Sequence, residues 1–122
     1  MPAPDDLADP VDPEALTRLD GVGRPGLVAQ LITLFLETAP DTMEALHTAH
    51  ARRDLDGVAR AAHRLRSSAS NFGAARLVDL TRQIERRAET DGATQFDTLI
   101  ADAGAEFARV RQRLEEIKAA RS

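Results

Sequence analysis

The 122-residue chain has no cysteine, tryptophan or tyrosine. Without cysteine there is no disulfide framework, no thiolate metal site and no thiol nucleophile. Its aromatic residues are Phe35, Phe72, Phe96 and Phe107, too few for a surface that stacks nucleobases, and the net charge of −4 argues against a basic nucleic-acid stripe. No apolar run approaches the roughly 20 residues that span a bilayer. The opening "MPAPDDLADPVDP" is acidic and proline-rich, opposite in character to a signal peptide, so the expected location is cytoplasmic.

At this length one domain with a modest core is expected, with no room for a second, nucleotide-binding domain. The charge that is present is unevenly spread. Met1 to Asp20 carries six acids and one arginine, whereas Arg52 to Arg87 carries nine arginines and four acids. A locally basic face on an acidic protein follows, suited to an acidic protein surface or a phosphorylated group.

Four of the six prolines stand by residue 13, and residues 1–12 are expected to form a flexible leader or linker remnant ahead of a helical domain at 13–119. Asp12-Pro13-Glu14 reads as an N-cap, a first-position proline and a first-turn acid, predicting a short helix over Pro13 to Leu19. Leu27, Leu31, Leu34, Phe35 and Thr38 then recur at helical spacing up to Pro40. Asp41 to Arg52 is either a kinked continuation or a fresh helix, with Met43 and Leu46 inward. Leu55, Val58, Ala62, Leu65 and Ala69 form the next stripe, capped by Asp54 and ending near Asn71 and Gly73. Leu77, Leu80, Ile84 and Ala88 form another. A last stripe runs through Phe96, Leu99, Ala103, Phe107, Val110, Leu114 and Ile117. With short joints and no period-2 alternation, the expected architecture is all-α: an antiparallel up-down four-helix bundle with a short additional N-terminal helix.

"AAHRLRSSASNFGAARL", Ala61 to Leu77, carries the chemistry. His63 falls about 100° from Ala62 on the helix, at the edge of the apolar stripe or beyond it. Its face is shared by Ala59, Arg66, Ser67 and Ser70, small except for the arginine, so another protein can approach the imidazole closely. An exposed imidazole offers a nucleophilic ring nitrogen that a neighbouring acceptor can orient through the other nitrogen. Arg66, one turn on, would stabilise charge on a transferring phosphoryl group, while any Mg²⁺ would come from a partner. A solvated helix histidine without a role is the plain alternative.

The stretch resembles the signature of histidine-containing phosphotransfer (HPt) domains of bacterial phosphorelays, A-H-x-L-K-[GS]-S-x-x-x-x-G-A. "VDPEALTRL" is similar to the family's leading helix, "LITLFLETAPDTMEAL" to its second and "RRDLDGVARAAH" to the start of its third. The resemblance implies that His63 accepts a phosphoryl group, most simply on Nε2, from a receiver-domain aspartate and passes it to another receiver. It further implies that Asn71, Gly73 and Ala74 form the turn into the fourth helix. Arg66 stands where the family has lysine, and Ser67 where glycine is more frequent. Glu85 is the best match for a fourth-helix side chain against the imidazole, ahead of Gln83. Ala59, Arg64, Ser67, Ser70 and Phe72 make up the expected docking face.

The implied partners are receiver domains of response regulators and of a hybrid sensor kinase, with Mg²⁺ on the receiver, no cofactor on this chain, no nucleic acid or membrane, and a monomeric state. A sensor-kinase dimerisation domain would place an acid directly after its histidine, where Arg64 stands, and no Gly-rich phosphate loop is present, so self-phosphorylation from ATP is not expected. Two rivals remain. Glu44-Ala-Leu-His47 is an E-x-x-H pair, and His47 with His50 stands at metal-pinching spacing, yet a di-iron bundle needs a second such pair. The other rival is a bundle of the same fold that docks receivers without transfer.

Overall fold

A computed structural model describes residues 9–90 and 96–121. Five helices follow one another: α1 (Pro13–Asp20), α2 (Leu27–Ala51), α3 (Leu55–Ser70), α4 (Ala75–Thr90) and α5 (Phe96–Arg121). Helices α2 to α5 close a ring in which α3 packs most extensively on α4, then on α2, while α5 closes against both α4 and α2. Helix α1 lies across the α2 side. The all-α bundle with a short leading helix is therefore the fold observed.

Side-chain caps set the starts of two helices. The Asp12 carboxylate accepts from the Glu14 amide at 2.9 Å with Pro13 in the first turn, and the Asp54 carboxylate accepts from the Gly57 amide at 3.0 Å. Each relieves an amide that the helix leaves unpaired, worth about 1 kcal/mol. Between α2 and α3 the chain turns through Arg53 at φ 58°.

Helix α2 is continuous through Pro40, so the 41–52 segment is a continuation. Its inward stripe differs from the expected one. Val28, Ile32, Phe35, Ala39, Met43, Leu46 and Ala49 are buried, whereas Leu34 is 56% exposed and Leu27 and Leu31 are half-buried. "LVAQLITLFL" contains two apolar stripes about 100° apart, and only the one through Val28 and Ile32 runs on past Pro40 into the apolar positions of the second half.

The leader expected through residue 12 ends earlier. Val11 is buried, the Asp12 amide donates to the Phe72 carbonyl at 2.9 Å, and Asp9 meets Arg113 of α5 at 3.3 Å. Residues 1–8 lie outside the described residues. Residues 9–12 instead form a strap whose apolar side chain enters the core and whose backbone is bonded to the α3–α4 turn.

Phe72 follows α3 and is 1% exposed, its ring edge-on to Phe35 with centroids 5.5 Å apart; Phe107 completes the aromatic group at 5.9 Å from Phe35. Three polar residues are also buried among the described residues: Thr42, whose hydroxyl donates to the Thr38 carbonyl at 3.4 Å, Thr81 and Glu106. The Thr81 hydroxyl bonds back to the Leu77 and Val78 carbonyls, and Glu106, 3% exposed, pairs with Arg109 at 2.8 Å and approaches Arg76 of α4 at 3.8 Å. Burying a carboxylate is tolerable only with such partners. Among the described residues no helix is long and apolar enough to cross a membrane.

Candidate functional site

The α3–α4 hairpin sets the register of the site. Helix α3 ends through Phe72, Gly73 and Ala74, whose amides bond back to the Ala69, Ser70 and Ala69 carbonyls. Gly73 sits at φ +61°, and a Cβ there would stand 2.5 Å from the Asp12 Cβ, so glycine answers both the left-handed backbone and the close approach of the strap. His63 and Glu85 are each eleven residues from Ala74. In an antiparallel hairpin with this turn at its centre they come level.

They also meet. His63 Nδ1 lies 2.9 Å from Glu85 Oε1, and Arg66, one turn along α3, donates through Nε to Glu85 Oε2 at 2.6 Å. The His63 side chain is 62% exposed, whereas Glu85 is 15% and Arg66 26% exposed. Burial pushes the Glu85 carboxyl up, but the hydrogen bonds and charges of Arg66 and His63 together outweigh it and hold the group below its ordinary value. The hydrogen bond to Glu85 outweighs burial at Arg66 and raises its guanidinium further. Glu85 is thus a carboxylate at neutral pH.

That charge state decides the imidazole tautomer. A carboxylate only accepts, so in the neutral imidazole the 2.9 Å contact calls for the proton on Nδ1, with the lone pair on Nε2. Arg66 Nη2 stands 2.9 Å from the same Nδ1 and could donate there only if Nδ1 carried the lone pair. The two contacts compete for one atom, and the anchored carboxylate favours the tautomer with an unprotonated Nε2 on the outward side of the ring.

Beside His63 a shallow concavity is lined by Ala59, Arg60, His63, Arg64, Ser67 and Glu85. Of the residues expected at the site, Ala59, Arg64, Ser67 and Glu85 border it with His63. Arg66 lies on the Glu85 side, its guanidinium engaged by the carboxylate. Ser70 is exposed one turn beyond, its hydroxyl donating to the Arg66 carbonyl at 2.8 Å. Phe72 belongs to the core and not to a docking face: its neighbour Phe35 draws it inward. The side chain of Gln83 donates to Asp79 at 2.8 Å, within its own helix.

Arg60 is the residue not foreseen. The available signal was that Arg60 stands three residues before His63 and four before Arg64, spacings that share one helix face. An exposed apolar side chain stands further along α3: Leu34 of α2 lines a narrow cleft with Ser68 of α3 and Asn71 just past its end.

Elsewhere, Glu44 and His47 are exposed on α2, and His50 Nε2 contacts Asp97 at 3.0 Å beside the Phe96 ring. Among the described residues no group of three His, Cys, Asp or Glu side chains could hold a metal ion.

The sequence matches the family model described as Hpt domain over residues 30–120. The fold is similar to the crystal structure of histidine-containing phosphotransfer protein B (HptB) from Pseudomonas aeruginosa PAO1, with a TM-score of 0.85 and 24% identity over 93% of this chain and 97% of that one. At that identity the likeness speaks for the fold. No curated protein matches.

Proposed function

Because this chain belongs to the Hpt domain family, we propose that it is a phosphorelay intermediate carrying a phosphoryl group on His63 between aspartates of two receiver domains. The observation that carries this reading is the 2.9 Å contact of His63 Nδ1 with Glu85, which keeps the Nε2 lone pair on the exposed side of the imidazole. Nε2 attacks the phosphorus of an aspartyl phosphate. The N–P bond forms as the P–O bond breaks, and the aspartate carboxylate leaves with the electron pair. The ring becomes cationic, with its Nδ1 proton facing Glu85, and the reverse reaction delivers the group to a second receiver.

The protein is a phosphocarrier and not a kinase. Mg²⁺ and the acceptor aspartate belong to the receiver, which works in the cytoplasm. Docking uses Ala59, Arg64, Ser67 and Ser70 around the imidazole, with Leu34 in place of Phe72 as the apolar contact. Small side chains there admit a close approach, and Arg64 suits an acidic receiver face. One site serves both donor and acceptor, so the working form is a monomer that engages its partners in turn.

The test is transfer from receiver domains charged with acetyl phosphate, comparing wild type with His63→Gln and locating the mark by mass spectrometry. An acid-labile mark on His63, absent from the variant, is expected. Transfer at the native rate to the folded His63→Gln protein would end the assignment.

A further inference from the structure

The family signature has lysine where Arg66 stands, and that cation was expected to balance the phosphoryl charge. In this chain its guanidinium is held to Glu85 at 2.6 Å through Nε, on the Nδ1 side of the ring. The phosphoryl group would be attached on the opposite side, at Nε2. The cations that border the concavity there are Arg60 and Arg64, both exposed and neither in an ion pair among the described residues. Arg60 stands three positions before His63 and four before Arg64, spacings that share a helix face, while Arg64 follows His63 about 100° round α3, so the two arginines stack on each other to one side of the imidazole.

We infer that Arg60 and Arg64 form a guanidinium pair that holds the phosphoryl oxygens of phosphorylated His63, a role separate from docking; this rests on the phosphotransfer reading above. Charge balance supports it. Phosphorylation puts about two negative charges beside an imidazolium whose Nδ1 proton already faces Glu85, and Glu85 is neutralised by Arg66. One net negative charge is left at the concavity, and the cations that line it are these two. A guanidinium matches phosphoryl oxygens with parallel N–H donors, which a rim contact to a partner does not require.

The experiment removes the receiver. Wild type, Arg60→Gln, Arg64→Gln, the double variant and a control, Arg111→Gln on α5, are charged with phosphoramidate and followed by ³¹P NMR across pH. Neighbouring guanidinium groups favour the phosphoryl dianion, so their loss moves the titration of the phosphohistidine resonance upward. A rise of about half a unit for each arginine, with the control unchanged, is expected. The same loss shifts the equilibrium with a charged receiver roughly 3- to 10-fold toward the aspartyl phosphate. If His63 is phosphorylated in wild type and the double variant titrates like it, the pair does not hold the phosphoryl group, although the carrier reading stands. If neither phosphoramidate nor any receiver marks His63 in the folded protein, the carrier reading fails and the pair with it.

Discussion

Glu85→Ala tests the tautomer argument most directly. Two groups compete for His63 Nδ1, the Glu85 carboxylate at 2.9 Å and Arg66 Nη2 at 2.9 Å. Removing the carboxylate removes the acceptor that keeps the proton on Nδ1. A hydrogen bond to a charged group contributes about 1.5–3 kcal/mol, and the lower figure applies because the imidazole is 62% exposed. That alone slows transfer about 10-fold. It also frees Arg66, whose nearest remaining acceptor is the Nδ1 lone pair, so the proton moves to Nε2 and blocks the nucleophile. The total expected loss is roughly 30-fold, the further step resting on one more hydrogen bond of about 0.6 kcal/mol. Glu85→Ala combined with Arg66→Met, which has no donor, should transfer faster than Glu85→Ala alone. The assays are phosphotransfer rates and ¹⁵N NMR of the imidazole. A wild-type His63 proton on Nε2, or a Glu85→Ala protein that transfers at the native rate, would refute the reasoning.

The other predictions concern stability. Gly73→Ala forces a Cβ into left-handed backbone and against Asp12, and should cost about 2–3 kcal/mol in urea unfolding. Gly104→Ala is the opposite case: its Cβ would meet Met43 and His47 at 3.7–3.9 Å, ordinary contact, so helix propensity should stabilise the fold by about 0.5–1 kcal/mol and raise Tm. Phe72→Ala, emptying a site against Phe35, should cost about 3–5 kcal/mol while leaving the surface around His63 chemically unchanged in whatever fraction stays folded; weak destabilisation would contradict its core placement. Because the Glu85 carboxyl is held below its usual range, its ion pairs contribute stability that is fully present above the unfolded carboxyl value of about 4.3 and is lost as pH falls through the depressed folded value. The stability gap between wild type and Glu85→Gln should therefore shrink from neutral pH to about pH 3; a constant gap would count against the pairing.

Much of the site was legible because one hairpin carries it. The stripe through Val58, Ala62, Leu65 and Ala69 fixes which way α3 faces, and counting outward from the glycine turn brings residue 85 level with residue 63. The face of α2 was not legible, since two stripes of equal local quality overlap before Pro40 and only tertiary contact chooses. Phe72 sits just after a helix end, where an aromatic can turn either way; its partner Phe35 is far away in sequence. Glu106 reads as a surface acid until Arg76 is brought against it from α4. Arg60 was visible as a letter, but its importance depends on Arg66 being drawn to Glu85, a matter of side-chain geometry.

The strap of residues 9–12 is bonded to the turn that joins α3 and α4. Seven residues of helix, about 10 Å, separate that turn from His63 along the bundle axis. The chain therefore enters the described fold at Asp9 beside that turn and Arg113 of α5, and not among the residues around the imidazole. Fusions on that side should leave the face around His63 clear, which makes that end the place to immobilise the protein when weighing its partners.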